Sequence, residues 1–299
     1  MAHGAERPES RLAQSERGAV TGEAHAYPAP AKLNLMLRVV GRRADGYHLL
    51  QTVFRFIEYA DRVTISVRRD ARIVRARDLP GVPVDSDLAI RAARLLQEKT
   101  GTRIGAEIGV EKRIPMGGGL GGGSSDAATV LLALNRLWDT GLTRAELGQL
   151  GLMLGADVPV FIHGRNAFAE GVGEVLTAIE LPPAWYVVLT PAIAVPTARI
   201  FAHPDLKRDS KAIRIRGFSA GMAGNDLQAV VCSEFPEVAR HLAWLSKHGP
   251  AMMTGSGAAV FAAFGSEREA QAVLADLPPD MRGFVAAGLE RHPLHALAD

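Results

Sequence analysis

Hydrophobic and polar residues alternate with a period of two along several segments, which predicts β-strands. In residues 31–39 the apolar odd positions alternate with Lys32, Asn34 and Arg38, so these three polar side chains are expected to share one face. Further strands are predicted at 52–59, 62–67, 106–114, 185–190, 252–261 and 284–287. A glycine turn interrupts the strand at 252–261. The first 27 residues are polar and lack this periodicity, which predicts a disordered extension over residues 1–27.

Helix signals lie between these strands. Ser86 is a candidate cap for a helix over 87–99, and the capping box formed by Thr143 and Glu146 opens a helix that ends at Leu154. Further helices are predicted at 127–138, in two stretches after 226 that separate near Pro236, and at 267–277. Strands and helices mixed in this way predict an α+β chain with a domain boundary near 177–184.

The most unusual segment is a glycine-rich loop that precedes an apolar helix. Six of the seven residues from 117 to 123 are glycine, which costs conformational entropy and indicates that something approaches this backbone closely. Ser124, Ser125 and Asp126 follow as good N-cap residues, and the helix after them is apolar nearly all round, hence buried. A helix N-terminus without obstructing side chains favours an anion, and the simplest one is a polyphosphate.

Other readings of the glycines are less consistent with the flanking sequence. Gly117, Gly119 and Gly122 satisfy the dinucleotide pattern G-x-G-x-x-G, but the preceding strand at 106–114 is half-exposed, whereas that fold needs a fully buried parallel strand. No Gly-Lys-Ser/Thr follows the glycines, so the loop is not a Walker A motif. A flexible linker would not be framed by a strand and a buried helix.

Composition limits the class of protein. The 299 residues are 47% hydrophobic and 22% charged, with a formal net charge of +2 and 6% aromatic residues, which gives no support for a nucleic-acid partner. The lone Cys232 excludes an intramolecular disulfide framework and fits a reducing compartment. No run of eighteen apolar residues is present, and acids and prolines replace a signal core in the first 26 residues. We expect a cytoplasmic protein without a membrane partner.

Five segments in chain order resemble the GHMP kinase superfamily of small-molecule kinases: Pro-Ala-Lys-Leu-Asn-Leu at 30–35, Arg-Ala-Asp-Gly-Tyr-His at 43–48, the loop at 115–125, Leu-Gly-Ala-Asp-Val-Pro-Val-Phe at 154–161 and Thr-Gly-Ser-Gly at 254–257. The resemblance spans about residues 28 to 295. It is closest to the branch whose acceptor is a small alcohol that carries a cytidine diphosphate group.

This resemblance implies a two-domain α+β fold with the active site between the domains. The N-terminal domain, expected at 28–178, would be ribosomal-protein-S5-like, and the C-terminal domain, expected at 179–299, would be ferredoxin-like. The resemblance further implies ATP as the phosphoryl donor, Mg²⁺ carried by the nucleotide, a cytidylated small molecule as the substrate, and a monomer or weak homodimer. It assigns no protein ligand to the metal ion.

Phosphoryl transfer needs a cradle for the donor, a positive charge and a group that takes the hydroxyl proton. By resemblance, Asp157 is the proton acceptor, and its apolar neighbours Val158 and Val160 are expected to strengthen its hold on a proton. Lys32 is its electrostatic partner. The implied ATP-binding residues are Pro115, Met116, Gly117, Gly118, Gly119, Leu120, Gly121, Gly122, Gly123, Ser124 and Ser125.

The remaining implied site residues would bind the acceptor. Asn34 would orient its hydroxyl, while Tyr47 and His48 would hold the cytidine moiety by stacking and imidazole hydrogen bonds. Phe201 resembles an opposing aromatic, with Thr197 as a polar contact nearby. Gly257 lies in a turn that either presents N–H groups to the phosphates of the substrate or only lets two elements pack closely.

Two alternatives stay open. The first is a related kinase acting on homoserine, mevalonate or a sugar, which the pair Tyr47 and His48 disfavours. The second is a catalytically silent nucleotide-binding protein, which the presence of both Lys32 and Asp157 disfavours.

Overall fold

A computed structural model describes residues 23–215 and 224–298 of the protein. The strands are β1 (His25–Arg42), β2 (His48–Arg68), β3 (Ile73–Arg75), β4 (Gly105–Glu111), β5 (Ala167–Glu170), β6 (Val175–Ala178), β7 (Trp185–Leu189), β8 (Ala251–Met253), β9 (Val260–Phe264) and β10 (Gly283–Leu289). The helices are α1 (Leu88–Thr100), α2 (Gly122–Leu137), α3 (Arg144–Leu154), α4 (Val158–His163), α5 (Thr197–Ala202), α6 (Gln228–Glu234), α7 (Pro236–Leu245) and α8 (Glu267–Ala275). The predicted α+β class is confirmed.

Strand β2 organises the sheet, because it pairs with β1, β4, β5 and β10 along its 21 residues. The sequence predicted two strands here, separated at the polar residue Asp61, and that prediction is wrong. The Asp61 carboxylate is buried and accepts hydrogen bonds from the backbone N–H groups of Arg113 (2.5 Å) and Ile114 (2.8 Å). Because the polar group is satisfied in this way, the strand continues through it.

Strand β1 begins earlier than the sequence predicted. Residues His25 to Tyr27, assigned to the disordered extension, pair antiparallel with Val63 to Ile65 of β2. Pro28 and Pro30 obscured this part of the strand, since proline is rare inside sheets. The remainder of the predicted extension, residues 1–22, lies outside the described residues.

The N-terminal core forms around α2. Eleven consecutive residues of this helix, from Ser125 to Asn135, are buried, as its all-round apolar sequence predicted. The helix packs against α1, α4 and the phenylalanines of β2. A rigid buried helix therefore carries the glycine loop at its N-terminus.

A second core lies in the C-terminal half, where β7, β8 and β9 pack against α6, α7 and α8. Leu37 and Val39 of β1 belong to this core. Strand β10 joins the halves, because Gly288 and Leu289 pair with Ile57 and Phe56 of β2. The two halves thus share one ten-stranded sheet, and the domain limits at 178 and 179 stay a prediction.

Candidate active site

A cleft of about 1100 Å³ lies where the glycine loop, strand β1 and helix α5 meet. All sequence-predicted site residues line it except Ser125, which is buried beneath the first turn of α2. Residues from segments more than 200 positions apart in the chain, such as Lys32 and Gly257, therefore face one cavity. The roles of these residues in binding and catalysis stay predictions.

Lys32 is held in a fixed position at the base of the cleft. Its side chain is only 2% exposed, and its Nζ lies 2.7 Å from Asn34 Oδ1, 3.2 Å from Asp157 Oδ2 and 5.4 Å from the centroid of the Phe54 ring. Its backbone N–H donates to Leu120 O in the glycine loop at 3.0 Å. A buried amine with one carboxylate partner is unlike an ordinary solvated lysine of a strand.

Asp157 joins the end of α3 to the start of α4 and faces Lys32. Its side chain remains 39% exposed, whereas Val158 and Val160 are fully buried in the core. The burial on which the expected effect of these valines depends is therefore not found at the carboxylate. The carboxylate lies beside the Lys32 ammonium, and Asp157 lines the cleft.

Asn34 is engaged in hydrogen bonds within the protein at both ends of its amide. Oδ1 accepts from Lys32 Nζ and from Thr254 Oγ1 (3.3 Å), while Nδ2 donates to Thr52 Oγ1 at 2.8 Å. Its backbone N–H donates to Thr254 Oγ1 at 2.9 Å. One N–H of the amide remains for a substrate, but the larger part of this side chain holds Lys32 in place.

The glycine loop ends in the first turn of α2, which begins at Gly122 rather than after the predicted caps. Gly121 is the N-cap with φ 74°, and a Cβ there would lie 3.0 Å from Lys32 Cε and from Phe161 Cζ. A Cβ on Gly119, with φ 75°, would lie 2.4 Å from Thr254 O. These two glycines are required for close packing and positive φ in addition to any phosphate contact.

The glycine turn at 254–257 packs against the glycine loop. Gly257 N–H donates to Thr254 O (3.0 Å), and a Cβ on Gly257 would lie 2.8 Å from Met253 Sδ. Of the two roles weighed for this turn, its geometry favours close packing, since the N–H has a partner inside the turn. Thr197 Oγ1 lies 2.6 Å from Ser256 Oγ, so α5 is tied to the same turn.

The predicted base-binding residues lie at the other end of the cleft. His48 packs on Phe201 with ring centroids 5.0 Å apart and a 30° tilt. Tyr47 is 65% exposed and has no ring partner within residues 23–215 and 224–298, so the observed aromatic pair is His48 with Phe201. Burial, followed by the charges of Arg208 and Arg42, lowers the pKa of His48.

Sequence reasoning missed a buried charge cluster beside the loop. Lys112 lines the cleft and contacts the carboxylates of Asp61 and Asp126. Burial, opposed by Lys112 and reinforced by Asp61, raises the pKa of Asp126 to about 7. The only sequence signal was a single lysine three residues before the loop, which is indistinguishable from a surface charge.

Three further residues contact the predicted site residues. Thr52 and Arg208 line the cleft and gave no sequence signal, whereas Thr254 is fully buried and belongs to the predicted motif at 254–257. Thr52 and Thr254 contact Asn34, and Arg208 contacts His48. Each acts on a predicted site residue from a distant segment of the chain, so only the folded structure places it at the site.

The described residues contain no group of three or more His, Cys, Asp or Glu side chains that could hold a metal ion. Ser125 Oγ, however, is buried without a hydrogen-bond partner in the described part of the chain, next to Ser124 at the cleft. Within those same ranges, the helices are too short or too polar to cross a bilayer.

Family models and known proteins show which family the chain is similar to. The model of the GHMP kinases N terminal domain matches residues 87–165, and that of the GHMP kinases C terminal matches residues 204–281. A 4-diphosphocytidyl-2-C-methyl-D-erythritol kinase of Dechloromonas aromatica is 64% identical over 269 residues, covering 90% of this chain and 98% of its own.

Solved structures give the same result. A crystal structure of 4-(cytidine 5'-diphospho)-2C-methyl-D-erythritol kinase superposes with a TM-score of 0.78 at 35% identity, covering 88% of this chain and 99% of its own. Homoserine kinase from Cytophaga hutchinsonii shares the fold, with a TM-score of 0.66 at 16% identity over 91% of this chain and 96% of its own.

The fold and the site define an ATP-dependent small-molecule kinase, and the chain belongs to the GHMP kinase family. Within that family it belongs with the 4-diphosphocytidyl-2-C-methyl-D-erythritol kinases.

Proposed function

We propose that the protein transfers the γ-phosphoryl group of ATP to the 2-hydroxyl of 4-diphosphocytidyl-2-C-methyl-D-erythritol, a step of the non-mevalonate route to isoprenoid precursors. The observation that carries the proposal is the pairing of a buried lysine with a cleft-facing aspartate, 3.2 Å apart, beside a glycine loop at a helix N-terminus. The identity of the proposed acceptor molecule rests on the names of the similar kinases. We further propose that the protein acts in the cytoplasm as a monomer or weak homodimer.

Asp157 is proposed to accept the proton of the acceptor hydroxyl. The oxygen of that hydroxyl bonds to the γ-phosphorus as the bond to ADP breaks and ADP leaves. Lys32 stabilises the negative charge that develops on that oxygen and on the phosphoryl group. The hydrogen bond from its Nζ to Asn34 Oδ1 fixes the ammonium in advance. A preorganised charge of this kind needs little rearrangement during the reaction.

The glycine loop and the first turn of α2 are proposed to bind the triphosphate through backbone N–H groups and the positive end of the helix. Mg²⁺ would arrive with the nucleotide and neutralise phosphate charge. Ser124, which lines the cleft, or Ser125, whose Oγ is buried without a hydrogen-bond partner in the described residues, would contribute a hydroxyl to the ion. This donor set fits an ion held mainly by phosphates.

The acceptor is tested by measuring ADP release with the cytidylated alcohol, mevalonate and homoserine in parallel. Turnover of the cytidylated compound alone is the expected result. Turnover of mevalonate or homoserine instead would contradict the proposed acceptor, and no turnover of any compound would favour a silent nucleotide-binding protein.

The role of Asp157 is tested with Asp157→Asn, which keeps the shape of the side chain and removes the base. We expect ATP affinity to change by less than about threefold while turnover falls by a factor of 10² or more, because general-base catalysis contributes about 10²–10⁴. A collapse of ATP affinity would show that the residue serves nucleotide binding.

A further inference from the structure

His48 is approached by an arginine that the family resemblance did not identify. Arg208 Nε donates to His48 Nε2 at 3.2 Å. Its Nη1 donates to the carbonyls of Leu206 (3.0 Å) and Pro204 (3.5 Å), and its Nη2 donates to those of His203 (2.7 Å) and Phe201 (2.9 Å). All five N–H groups of the guanidinium thus have an acceptor.

This geometry fixes the direction of the contact with His48. A guanidinium carries five donors and no acceptor, and it stays charged in proteins. His48 Nε2 must therefore be unprotonated and present its lone pair to Arg208. The proton of the neutral ring must then lie on Nδ1.

We infer that Arg208 is a positioning residue that holds His48 as the neutral Nδ1–H tautomer, so that the ring offers a hydrogen-bond donor to the cytidine diphosphate part of the acceptor. No acceptor lies on Nδ1 within residues 23–215 and 224–298, and His48 lines the cleft beside Phe201. The oxygens and the unprotonated ring nitrogen of a cytidine diphosphate are all acceptors. This inference rests on the proposed function for the identity of the ligand, but not for the tautomer.

The same arginine organises the aromatic partner. Because Arg208 also binds the carbonyl of Phe201, one guanidinium fixes both rings of the pair. The charge of Arg208, with that of Arg42, further disfavours an imidazolium at this position. Arg208 therefore controls the orientation, the tautomer and the neutral state of one side of the base-binding end.

The tautomer is measured in the unmodified protein by ¹H–¹⁵N correlation spectra of the full chain labelled with ¹⁵N-histidine, since protonated and unprotonated ring nitrogens resonate far apart. The chain has nine histidines, and the signal lost in His48→Gln assigns the one of interest. A protonated Nδ1 with an unprotonated Nε2 is expected. A protonated Nε2 would overturn the inference without any variant of Arg208.

The consequence for binding is measured with Arg208→Met, which keeps the stem and removes the donors. We expect the spectrum of His48 to move toward the Nε2–H form and the Kd of CDP to rise about tenfold, with the Kd of ATP within twofold. Arg199→Met is the matched control, because Arg199 lies nearby in sequence, on helix α5, and forms an ion pair with Glu234 outside the cleft. Weaker CDP binding with an unchanged tautomer would overturn the inference in favour of a purely structural role.

The two proposals fail in different ways. If CDP did not bind the unmodified protein while the Nδ1–H form was observed, the proposed acceptor would be contradicted and the contact of Arg208 with His48 would stand.

Discussion

Asn34 has two possible roles, to position Lys32 and to bind the acceptor, and Thr254→Val distinguishes between them. The structure predicts that positioning Lys32 is the main role. The substitution conserves the shape of a fully buried side chain and removes only its hydroxyl. That hydroxyl accepts a hydrogen bond from the Asn34 backbone N–H at 2.9 Å and donates one to Asn34 Oδ1 at 3.3 Å. The same Oδ1 accepts a hydrogen bond from Lys32 Nζ at 2.7 Å. Removing the Thr254 hydroxyl leaves a buried N–H without a partner and frees the amide that orients the lysine.

The magnitudes follow from these contacts. An unsatisfied buried N–H costs about 1–3 kcal/mol, so the unfolding free energy should fall by roughly that amount. Removing a donor to a developing negative charge costs about 10²–10³ in kcat, and misplacing one costs less, so we expect a fall in kcat of about tenfold, or about 1.4 kcal/mol. The KM for the acceptor should stay within about twofold, because the substrate-facing N–H of Asn34 is retained.

The assay is steady-state ADP release together with thermal unfolding. Thr254→Ser is the matched control, since it keeps the hydroxyl and should retain most of kcat. A Thr254→Val variant with an unchanged kcat and a raised KM would refute the positioning role and support a role for Asn34 in binding the acceptor.

Two further substitutions test other parts of the site. Gly121→Val should lower kcat by at least about tenfold, because the new side chain meets Lys32 Cε. The control is Gly141→Val: Gly141 has a similar positive φ of 67° and nothing within 4 Å of a Cβ, so this variant should only lower the unfolding free energy, by about 1–2 kcal/mol. Equal kcat values in the two variants would contradict this. Burial raises the pKa of Asp126 from 3.8 to about 7, so the stability that its neutral form contributes is lost as the pH rises through that range. Asp126→Asn should therefore raise Tm at pH 8 by roughly 2–4 °C and by less at pH 5. A larger gain in Tm at pH 5 than at pH 8 would contradict this direction.

Local patterns in the sequence predicted much of the fold because they have local causes. The Thr143 and Glu146 capping box opens α3 as predicted, and the apolar helix α2 is buried. Ser86, by contrast, was the wrong cap for α1, since Asp87 accepts from Ala89 N. Several residues near a helix start can cap it, and backbone geometry decides among them.

The missed features depend on partners that are distant in sequence. The continuity of β2 through Asp61 depends on the N–H groups of Arg113 and Ile114, some fifty residues further along. The role of Arg208 depends on His48, 160 positions away. The family resemblance brought Lys32, Asp157 and the glycine loop together, but the residues that hold them in place emerge only from the packing.

The most direct test of the account is a crystal structure of the protein with a non-hydrolysable ATP analogue and the cytidylated alcohol. We predict that the 2-hydroxyl of the alcohol lies about 2.6–3.2 Å from a carboxylate oxygen of Asp157, with the terminal phosphorus between that hydroxyl and the glycine loop and near Lys32 Nζ. A terminal phosphate bound away from both side chains, with a different group at the hydroxyl, would contradict the central claim.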